Sequence, residues 1–164
     1  MSLLAIDVSH QGIDASKSRQ LGKVFLDKFK EKHPEVEIHT LDLAKQNIPH
    51  LDTDAIVASF IPEEGRSEAQ KEKLAARMAL INQIKEVKYI LVTSPMYNWN
   101  VPSAFKAYID NIIMPGVLDA GTKSLAGKIV TILLATGGAY GPGSWVSPKN
   151  LLCSSWLTRY HLAS

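Results

Sequence analysis

Residues 94–102 read SPMYNWNVP and directly follow the apolar run 89–92. The apolar run is typical of a strand that is buried on both faces of a parallel sheet. The stretch after it contains two prolines, two asparagines, a methionine and two aromatic residues within nine positions. Because proline and asparagine are common in turns, the sequence predicts a loop at the end of a buried strand, with large side chains at its tip.

Met96, Tyr97 and Trp99 are unusual in a loop unless something apolar covers them. Together with the donors and acceptors of Asn98, they suit a flat heteroaromatic ligand with polar edges, such as a flavin ring. The alternative is that the aromatic rings pack under another loop or against a partner subunit.

The rest of the chain alternates strand-like and helix-like segments. Expected strands are Leu3 to Val8, Val36 to Leu43, Tyr89 to Thr93 and Lys128 to Ala135. Expected helices are one from Ser16 or Ser18 to Pro34 with the apolar face Leu21, Val24, Phe25 and Phe29, a short one capped by Thr53, Arg66 to Lys85, and Pro102 to Gly116. This alternation predicts an α/β fold with a parallel sheet and right-handed crossovers, and 164 residues fit a single domain over 1–164.

Composition excludes several classes of protein. The formal net charge is +2, with 18 Lys and Arg against 16 Asp and Glu, so no nucleic-acid-binding stripe is expected. A lone cysteine, Cys153, excludes an internal disulfide and a cysteine-based zinc site. The start of the chain does not resemble a signal peptide, and the longest apolar run, Ile129 to Ala135, is far shorter than a membrane span. We therefore expect a cytoplasmic protein without a membrane or nucleic-acid partner.

Three loops follow strands of the expected sheet: Ser9 to Ser18, Ser94 to Pro102, and Thr136 to Ser144. The carboxyl ends of parallel strands lie at one edge, where ligands bind near the switch in strand order. The first loop carries serines at a helix start, which suits a phosphate, although plain helix capping is the alternative. The third loop is glycine-rich, which permits close approach to a ligand, although a simple turn is the alternative.

Familiar nucleotide-binding and hydrolase motifs do not fit. The pair Gly127 and Lys128 lacks the spacing, the Ser or Thr, and the strand context of a phosphate-binding P-loop. Gly141 and Gly143 begin like a dinucleotide fingerprint, but its third glycine is absent. Ser144 has no glycine two positions before it, so it is not a nucleophile elbow.

The segment SPMYNWNVPSAFKAYIDNII, residues 94–113, resembles the Pro-Met-Tyr-Asn-aromatic segment of the FMN-dependent NADH-azoreductases. These form a branch of the flavodoxin-like NAD(P)H:quinone oxidoreductases. ATGGAY at 135–140 resembles the second flavin loop of that family, and Ser9 with Ser16 to Ser18 matches the spacing of its phosphate loop. The resemblance covers about residues 1–143. It implies a doubly wound flavodoxin-like sheet of order 2-1-3-4-5, with helices on both faces.

The resemblance also implies residue roles and chemistry. The phosphate and ribityl chain of FMN would be held by Ser9, His10, Ser16, Lys17 and Ser18. The ring would be lined by Pro95, Met96, Tyr97, Asn98 and Trp99, where Tyr97 and Asn98 position the reacting ring, and its pyrimidine edge would meet Thr136, Gly137, Gly138 and Tyr140. Two electrons would pass from NADH or NADPH through FMN to a quinone or azo compound in a ping-pong mechanism, without a metal or a side-chain nucleophile.

The tail 145–164 departs from the family pattern, because it contains no apolar run typical of a buried fifth strand. An open sheet edge promotes association, so we expect a homodimer. Two other functions stay open on the residues. One is a flavodoxin-like electron carrier, which the net charge of +2 disfavours because such carriers use acidic surfaces. The other is a truncated, non-catalytic protein with the same fold.

Overall fold

The computed structural model of the chain describes residues 1–119 and 121–138. Within these ranges one sheet is formed by four strands, β1 (Ser2–Asp7), β2 (Glu37–Asp42), β3 (Tyr89–Pro95) and β4 (Ile129–Ala135). Their order is β2-β1-β3-β4, and all three pairs are parallel. The predicted α/β class and the order 2-1-3-4 are confirmed. The expected fifth strand, Tyr140 and the tail 145–164 fall outside the described residues.

Helices connect the strands, and local sequence determines where they begin. They are α1 (Lys17–Lys32), α2 (Thr53–Val57), α3 (Glu68–Glu86) and α4 (Ser103–Ile112), with a single 3₁₀ turn at Glu63–Gly65. Helix α3 starts with a capping box, in which the Ser67 hydroxyl and the Gln70 side chain satisfy each other's backbone N–H groups. Among the described residues, the structure contains no helix with the length and apolar character of a membrane span.

Two predicted helix boundaries are wrong. The cap of α2 is Asp52, whose Oδ1 accepts a hydrogen bond from the Ala55 N–H at 2.9 Å, and Thr53 is the first helical residue. Helix α4 ends at Ile112, not at Gly116. The apolar periodicity there continues into a turn in which the Met114 and Leu118 backbones pair, so the buried pattern outlasts the helix.

The sheet separates two apolar cores. On one face α1 covers the sheet, and the cluster there consists of Leu3, Ala5, Val36 and Leu91, with Phe25, Leu26, Phe29, Ile38, Tyr89 and Leu133 packed against it. On the other face the cluster includes Ile6, Val92, Ile81, Ile84, Phe105, Tyr108 and Ile109, contributed by β1, β3, α3 and α4. Helices therefore lie on both faces, as predicted.

The predicted apolar face of α1 is partly wrong. Leu21 and Val24 are 45% and 58% exposed, whereas Phe25 and Phe29 pack on the sheet as expected. The contact face is instead centred on Gly22, where a Cβ atom would lie 2.6 Å from the Cγ2 atom of Thr93. The absence of a side chain at Gly22 lets α1 approach β3 closely, and this contact fixes the position of the first turn of α1.

A buried arginine joins α2, α3 and the C-terminal end of α4. Arg77 is 3% exposed and donates hydrogen bonds to the carbonyl oxygens of Ala55, Asn111 and Ile113 at 3.0, 3.0 and 3.1 Å. Burial lowers the pKa of its guanidinium. Carbonyl groups at the C-terminal end of α4 carry partial negative charge, so this contact holds the C-terminal end of α4 against α2 and α3.

The close approach of α1 and β3 is testable with a double-mutant cycle. We expect Gly22→Ala to lower the free energy of unfolding by up to about 2 kcal/mol, because overpacking at roughly 1–3 kcal/mol exceeds the roughly 1 kcal/mol gained in helix propensity. Thr93→Ser removes the Cγ2 atom and keeps the hydroxyl. In that background Gly22→Ala should stabilise the protein by about 1 kcal/mol, measured by urea unfolding. The same effect of Gly22→Ala in both backgrounds would show that the Thr93 methyl group does not limit the approach.

Candidate functional site

The loops after β1, β3 and β4 leave the same edge of the sheet. These strands are neighbours, and their pairing continues to the loops, since the Val8 N–H donates to the Thr93 carbonyl at 3.0 Å and the Met96 N–H to the Ala135 carbonyl at 2.8 Å. The sheet order reverses between β1 and β3, because β2 lies beyond β1 and β4 beyond β3. The structure thus places the three loops at the switch point, which is the usual ligand position in open α/β sheets.

The first loop places three hydroxyl groups below the surface. Ser9, Ser16 and Ser18 are only 1%, 3% and 1% exposed. The Ser16 and Ser18 Oγ atoms lie 3.1 Å apart in a hydrogen bond, and Ser9 Oγ accepts from the Gln11 N–H at 3.2 Å. Ser16 Oγ also accepts from the Arg19 N–H at 3.3 Å and caps α1. Helix capping therefore accounts for one role of Ser16. It does not explain why Ser9 and Ser18 are buried.

The two other expected residues of the first loop are exposed. His10 lies in the exposed part of the loop, and the Lys17 Nζ atom donates to Gln20 Oε1 at 3.2 Å along the surface of α1. Neither side chain joins the buried serines. A phosphate held by this loop would therefore meet hydroxyls and backbone N–H groups at the positive end of α1, in agreement with the physics of helix N-termini.

The loop after β3 is a tight two-residue hairpin. Tyr97 and Asn100 pair through two backbone hydrogen bonds of 2.8 and 2.9 Å, with Asn98 and Trp99 at the tip. Both tip residues have positive φ, 50° at Asn98 and 59° at Trp99. Turns of this kind favour Asn at the first position and Gly at the second. Asn98 meets that preference, whereas Trp99 occupies the position that suits glycine.

The tryptophan at this position is strained and exposed. A non-glycine residue in the left-handed region loses roughly 1–2 kcal/mol, and Trp99 gains little from burial because it is 58% exposed. Tyr97 beside it is 36% exposed. Backbone strain that local packing does not compensate is typical of functional sites. The alternative in which these rings pack under another loop finds no support among the described residues.

The hairpin also contains two backbone donors without a partner among the described residues. The N–H groups of Tyr97 and Asn100 are used within the hairpin, while those of Asn98 and Trp99 make no hydrogen bond to another described residue. Pro95 and Met96 are half-buried at the base of the hairpin. The hairpin therefore presents two aromatic rings, and two backbone donors that no other described residue uses, on a half-buried base.

The loop after β4 is described up to Gly138. Thr136, Gly137 and Gly138 are exposed, and the Thr136 hydroxyl donates to the Gly138 carbonyl at 2.9 Å. Apart from its chain neighbours, no atom of a described residue lies within 4 Å of a Cβ built on Gly137, so among these residues nothing blocks the approach of a ligand to its backbone. Tyr140, the fourth residue expected at this loop, is outside the described residues.

Sequence reasoning missed a charged cluster under the first loop. The Arg19 guanidinium contacts Asp42 Oδ1 at 2.6 Å and Asp7 Oδ2 at 3.3 Å, and it donates to the Ser9 carbonyl at 2.7 Å. The Thr93 hydroxyl donates to Asp7 Oδ1 at 2.5 Å. A usable signal was present, since Asp7 and Asp42 end adjacent strands and Arg19 directly follows the serine run.

The cluster holds Asp42 in its charged form. Partial burial acts to raise the pKa of Asp42, but the hydrogen bond and charge of Arg19, together with the Ala44 N–H and Lys45, outweigh it and lower the pKa below its usual value. The hydrogen bond from Arg19 to Asp42 in turn raises the pKa of the guanidinium. The ion pair is therefore complete at neutral pH.

Comparison with known proteins agrees with this geometry. The sequence model of the flavodoxin-like fold family matches residues 1–151. The chain belongs to the flavodoxin-like fold family. A crystal structure of an FMN-dependent NADH-azoreductase from Bacillus anthracis in complex with FMN superposes with a TM-score of 0.85, covering 99% of this chain and 81% of that one. At 20% identity, this likeness shows the shared fold alone.

Curated relatives from this flavodoxin-like family confirm the resemblance inferred from residues 94–113. The FMN-dependent NADH:quinone oxidoreductase of Frankia casuarinae is 40% identical over 145 residues, which cover 87% of this chain and 68% of the relative. That of Streptomyces coelicolor is 35% identical over 143 residues, which cover 87% of this chain and 65% of the relative. The chain thus spans about two thirds of the length of these relatives.

The strain at Trp99 predicts an increase in stability on substitution. In ligand-free protein, Trp99→Gly should raise the free energy of unfolding by about 1 kcal/mol, because glycine adopts positive φ without steric cost. The matched control Trp99→Ala removes the ring but keeps a Cβ atom, and should stay within about 0.5 kcal/mol of the wild type. Urea unfolding measures both. A loss of several kcal/mol in both variants would make Trp99 a packing residue.

The Arg19 cluster predicts a pH-dependent contribution to stability. Since the folded pKa of Asp42 lies below the unfolded value of 3.8, the ion pair stabilises the protein above that value and is lost as pH falls through the folded pKa. Asp42→Asn should therefore lower the free energy of unfolding at pH 7 by about 1–3 kcal/mol, and the difference from the wild type should shrink in acid. Asp27→Asn, in an exposed pair with Lys23, is the control. A constant difference across the titration would contradict this account.

Proposed function

We propose that the protein is an FMN-dependent oxidoreductase that passes two electrons from NADH or NADPH to a quinone or an azo compound. The observation that carries the proposal is the strained, exposed Trp99 on a hairpin at the same edge of the sheet as the loop with three buried serine hydroxyls. The relatives named FMN-dependent NADH:quinone oxidoreductase support the same cofactor and donor.

The first loop fits the phosphate of FMN. Three buried hydroxyls, the first N–H groups of α1 and the positive end of a 16-residue helix converge there. Hydroxyl and backbone donors are sufficient for a phosphate at a helix N-terminus. We assign phosphate binding to Ser9, Ser16 and Ser18, and we keep His10 and Lys17 as neighbours of the ribityl chain.

The hairpin and the third loop fit a flavin ring. Tyr97 and Trp99 offer exposed aromatic faces, and the half-buried Pro95 and Met96 form an apolar base. The free N–H groups of Asn98 and Trp99 are suitable donors for the ring's polar edge. The open backbone of Thr136, Gly137 and Gly138 suits the pyrimidine edge, where donors stabilise negative charge.

In this function the bound FMN supplies the two-electron chemistry. The protein's residues would bind and orient the ring, and the Asn98 backbone N–H would donate to its polar edge. The exposed faces of Tyr97 and Trp99 would border a single binding position next to the ring. Nicotinamide and acceptor would occupy that position in turn, so a ping-pong mechanism follows. No side chain acts as a nucleophile in this scheme.

We further propose that two copies of the chain associate and that the protein acts in the cytoplasm. Within the described sheet β4 is an outer strand, and its residues Ile129, Val130 and Ile132 are 51%, 41% and 44% exposed. Exposed apolar strands favour association. A cytoplasmic location stays a prediction.

The test of the function is a cofactor and turnover experiment. Purified protein, reconstituted with FMN, should retain the flavin after gel filtration and should oxidise NADH with menadione as acceptor. Double-reciprocal plots at several menadione concentrations should give parallel lines. Trp99→Gly should weaken FMN binding or raise the Michaelis constant for menadione. Lys23→Gln on the exposed surface of α1 should change neither.

Each other outcome selects a different function. A protein that holds FMN but oxidises NADH only when a separate reductase is added would be an electron carrier. A protein that holds no FMN would be a non-catalytic member of the fold. Intersecting lines would show that nicotinamide and acceptor bind at the same time, which contradicts the single binding position next to the ring.

A further inference from the structure

The cluster of Arg19 with Asp7, Asp42 and the Ser9 carbonyl, here called the Arg19 clamp, lies directly under the proposed phosphate loop. The guanidinium NH2 group bridges Ser9 O at 2.7 Å and Asp42 Oδ1 at 2.6 Å, and NH1 contacts Asp7 Oδ2 at 3.3 Å. The same residue donates its backbone N–H to Ser16 Oγ at 3.3 Å. One residue therefore contacts both ends of the loop that runs from Ser9 to Ser16.

The clamp differs from a surface ion pair in burial and connectivity. The Arg19 side chain is 12% exposed and that of Asp42 19%, so solvent screens the pair less than it screens exposed pairs. Asp7 is held on its other oxygen by the Thr93 hydroxyl, and Asp42 Oδ1 also accepts from the Ala44 N–H at 3.1 Å. These contacts tie the loop to the ends of β1, β2 and β3 at once.

The charges in the clamp create a problem for an anionic ligand. The carboxylates of Asp7 and Asp42 lie at the ends of β1 and β2, near the loop that is assigned to a phosphate dianion. Repulsion between these carboxylates and the phosphate would weaken phosphate binding. Arg19 contacts both carboxylates and cancels one of the two charges, while Lys45 approaches Asp42 at 3.6 Å from the exposed side. Arg19 thereby has two effects on the same loop: it fixes the Ser9 carbonyl and it offsets negative charge.

We propose that Arg19 is a positioning residue that gives the site its preference for phosphorylated flavin over riboflavin. It does so by holding the Ser9–Ser16 loop and by offsetting one of the two negative charges of Asp7 and Asp42 near the phosphate. The inference rests on the proposed function, because it needs FMN as the ligand. It goes beyond that function, since Arg19 has no contact with the ring in this scheme and acts only through the loop.

The test compares the affinities of two flavins that differ only in the phosphate. Apo-protein is titrated with FMN and separately with riboflavin, and flavin fluorescence quenching gives each dissociation constant. For Arg19→Gln we expect the FMN affinity to fall by about tenfold or more, since a hydrogen bond to a charged group contributes at least about that factor. The riboflavin affinity should change by less than about threefold.

Further variants separate this role from a general loss of structure. In Arg19→Gln combined with Asp42→Asn, removal of one carboxylate should restore part of the FMN affinity. Arg19→Lys keeps the charge but cannot reach all three acceptors, so it should show an intermediate loss, and it tests the same claim if Arg19→Gln does not fold. Lys23→Gln changes the same charge on the same helix, in an exposed pair, and should bind both flavins as the wild type does.

Three results would overturn the inference. They are an unchanged FMN affinity in Arg19→Gln, an equal loss for FMN and riboflavin, and no recovery on adding Asp42→Asn. In each case the wild type still binds FMN, so the proposed function survives. A wild type that binds neither flavin would instead overturn the proposed function together with the inference.

Discussion

The parallel pairing of β1 with β3 is the contact on which the rest of the structure depends. It brings together two segments that are more than eighty residues apart, and the Thr93 hydroxyl bonded to Asp7 extends it to the strand ends. Because β2 and β4 lie on opposite sides of this pair, the order in which strands are added to the sheet reverses here. The reversal opens the crevice in which the loops after β1, β3 and β4 meet.

The first loop and the hairpin differ in how their conformations are stabilised. Hydrogen bonds among buried hydroxyls and the Arg19 clamp hold the first loop, and the close approach of Gly22 to Thr93 packs α1 against β3. The hairpin after β3 is strained instead. Trp99 has a left-handed backbone conformation, and its largely exposed side chain offsets little of the cost of that conformation. A loop with three buried hydroxyls at the same sheet edge as a strained aromatic tip is a combination that stability alone does not favour, and it is the physical basis of the functional proposal.

Much of the fold was predictable because apolar periodicity is a strong local signal. The four strands follow from runs such as 89–92, and their parallel arrangement follows from the crossover rule. The strand order and the helices on both faces were implied by the family resemblance of residues 94–113. The exposed face of α1 was not predictable from Leu21 and Val24, because Gly22 decides the contact and its partner Thr93 is distant in sequence. The start of α2 was misplaced by one residue, since Asp52 and Thr53 both belong to the residue types favoured at helix N-caps.

The site was predictable in part. The sequence of the 94–102 segment contains a reliable signal, because aromatic residues between prolines contradict ordinary loop composition. Its positive φ values could not be inferred, since Trp99 is a poor residue for that conformation. The Arg19 clamp was missed because it joins side chains from three elements, and such contacts depend on strand order more than on spacing. Tyr140 and the tail 145–164 stay predictions.

Amide hydrogen exchange with and without FMN tests the central claim most directly, namely that the three loops form one flavin site. Exchange is compared peptide by peptide in the full chain, with riboflavin as a second ligand. The account predicts slower exchange in segments 9–19, 95–100 and 136–138 on addition of FMN, and a smaller effect at 9–19 with riboflavin. Protection confined to other segments, or none at any of the three loops in FMN-bound protein, would contradict it.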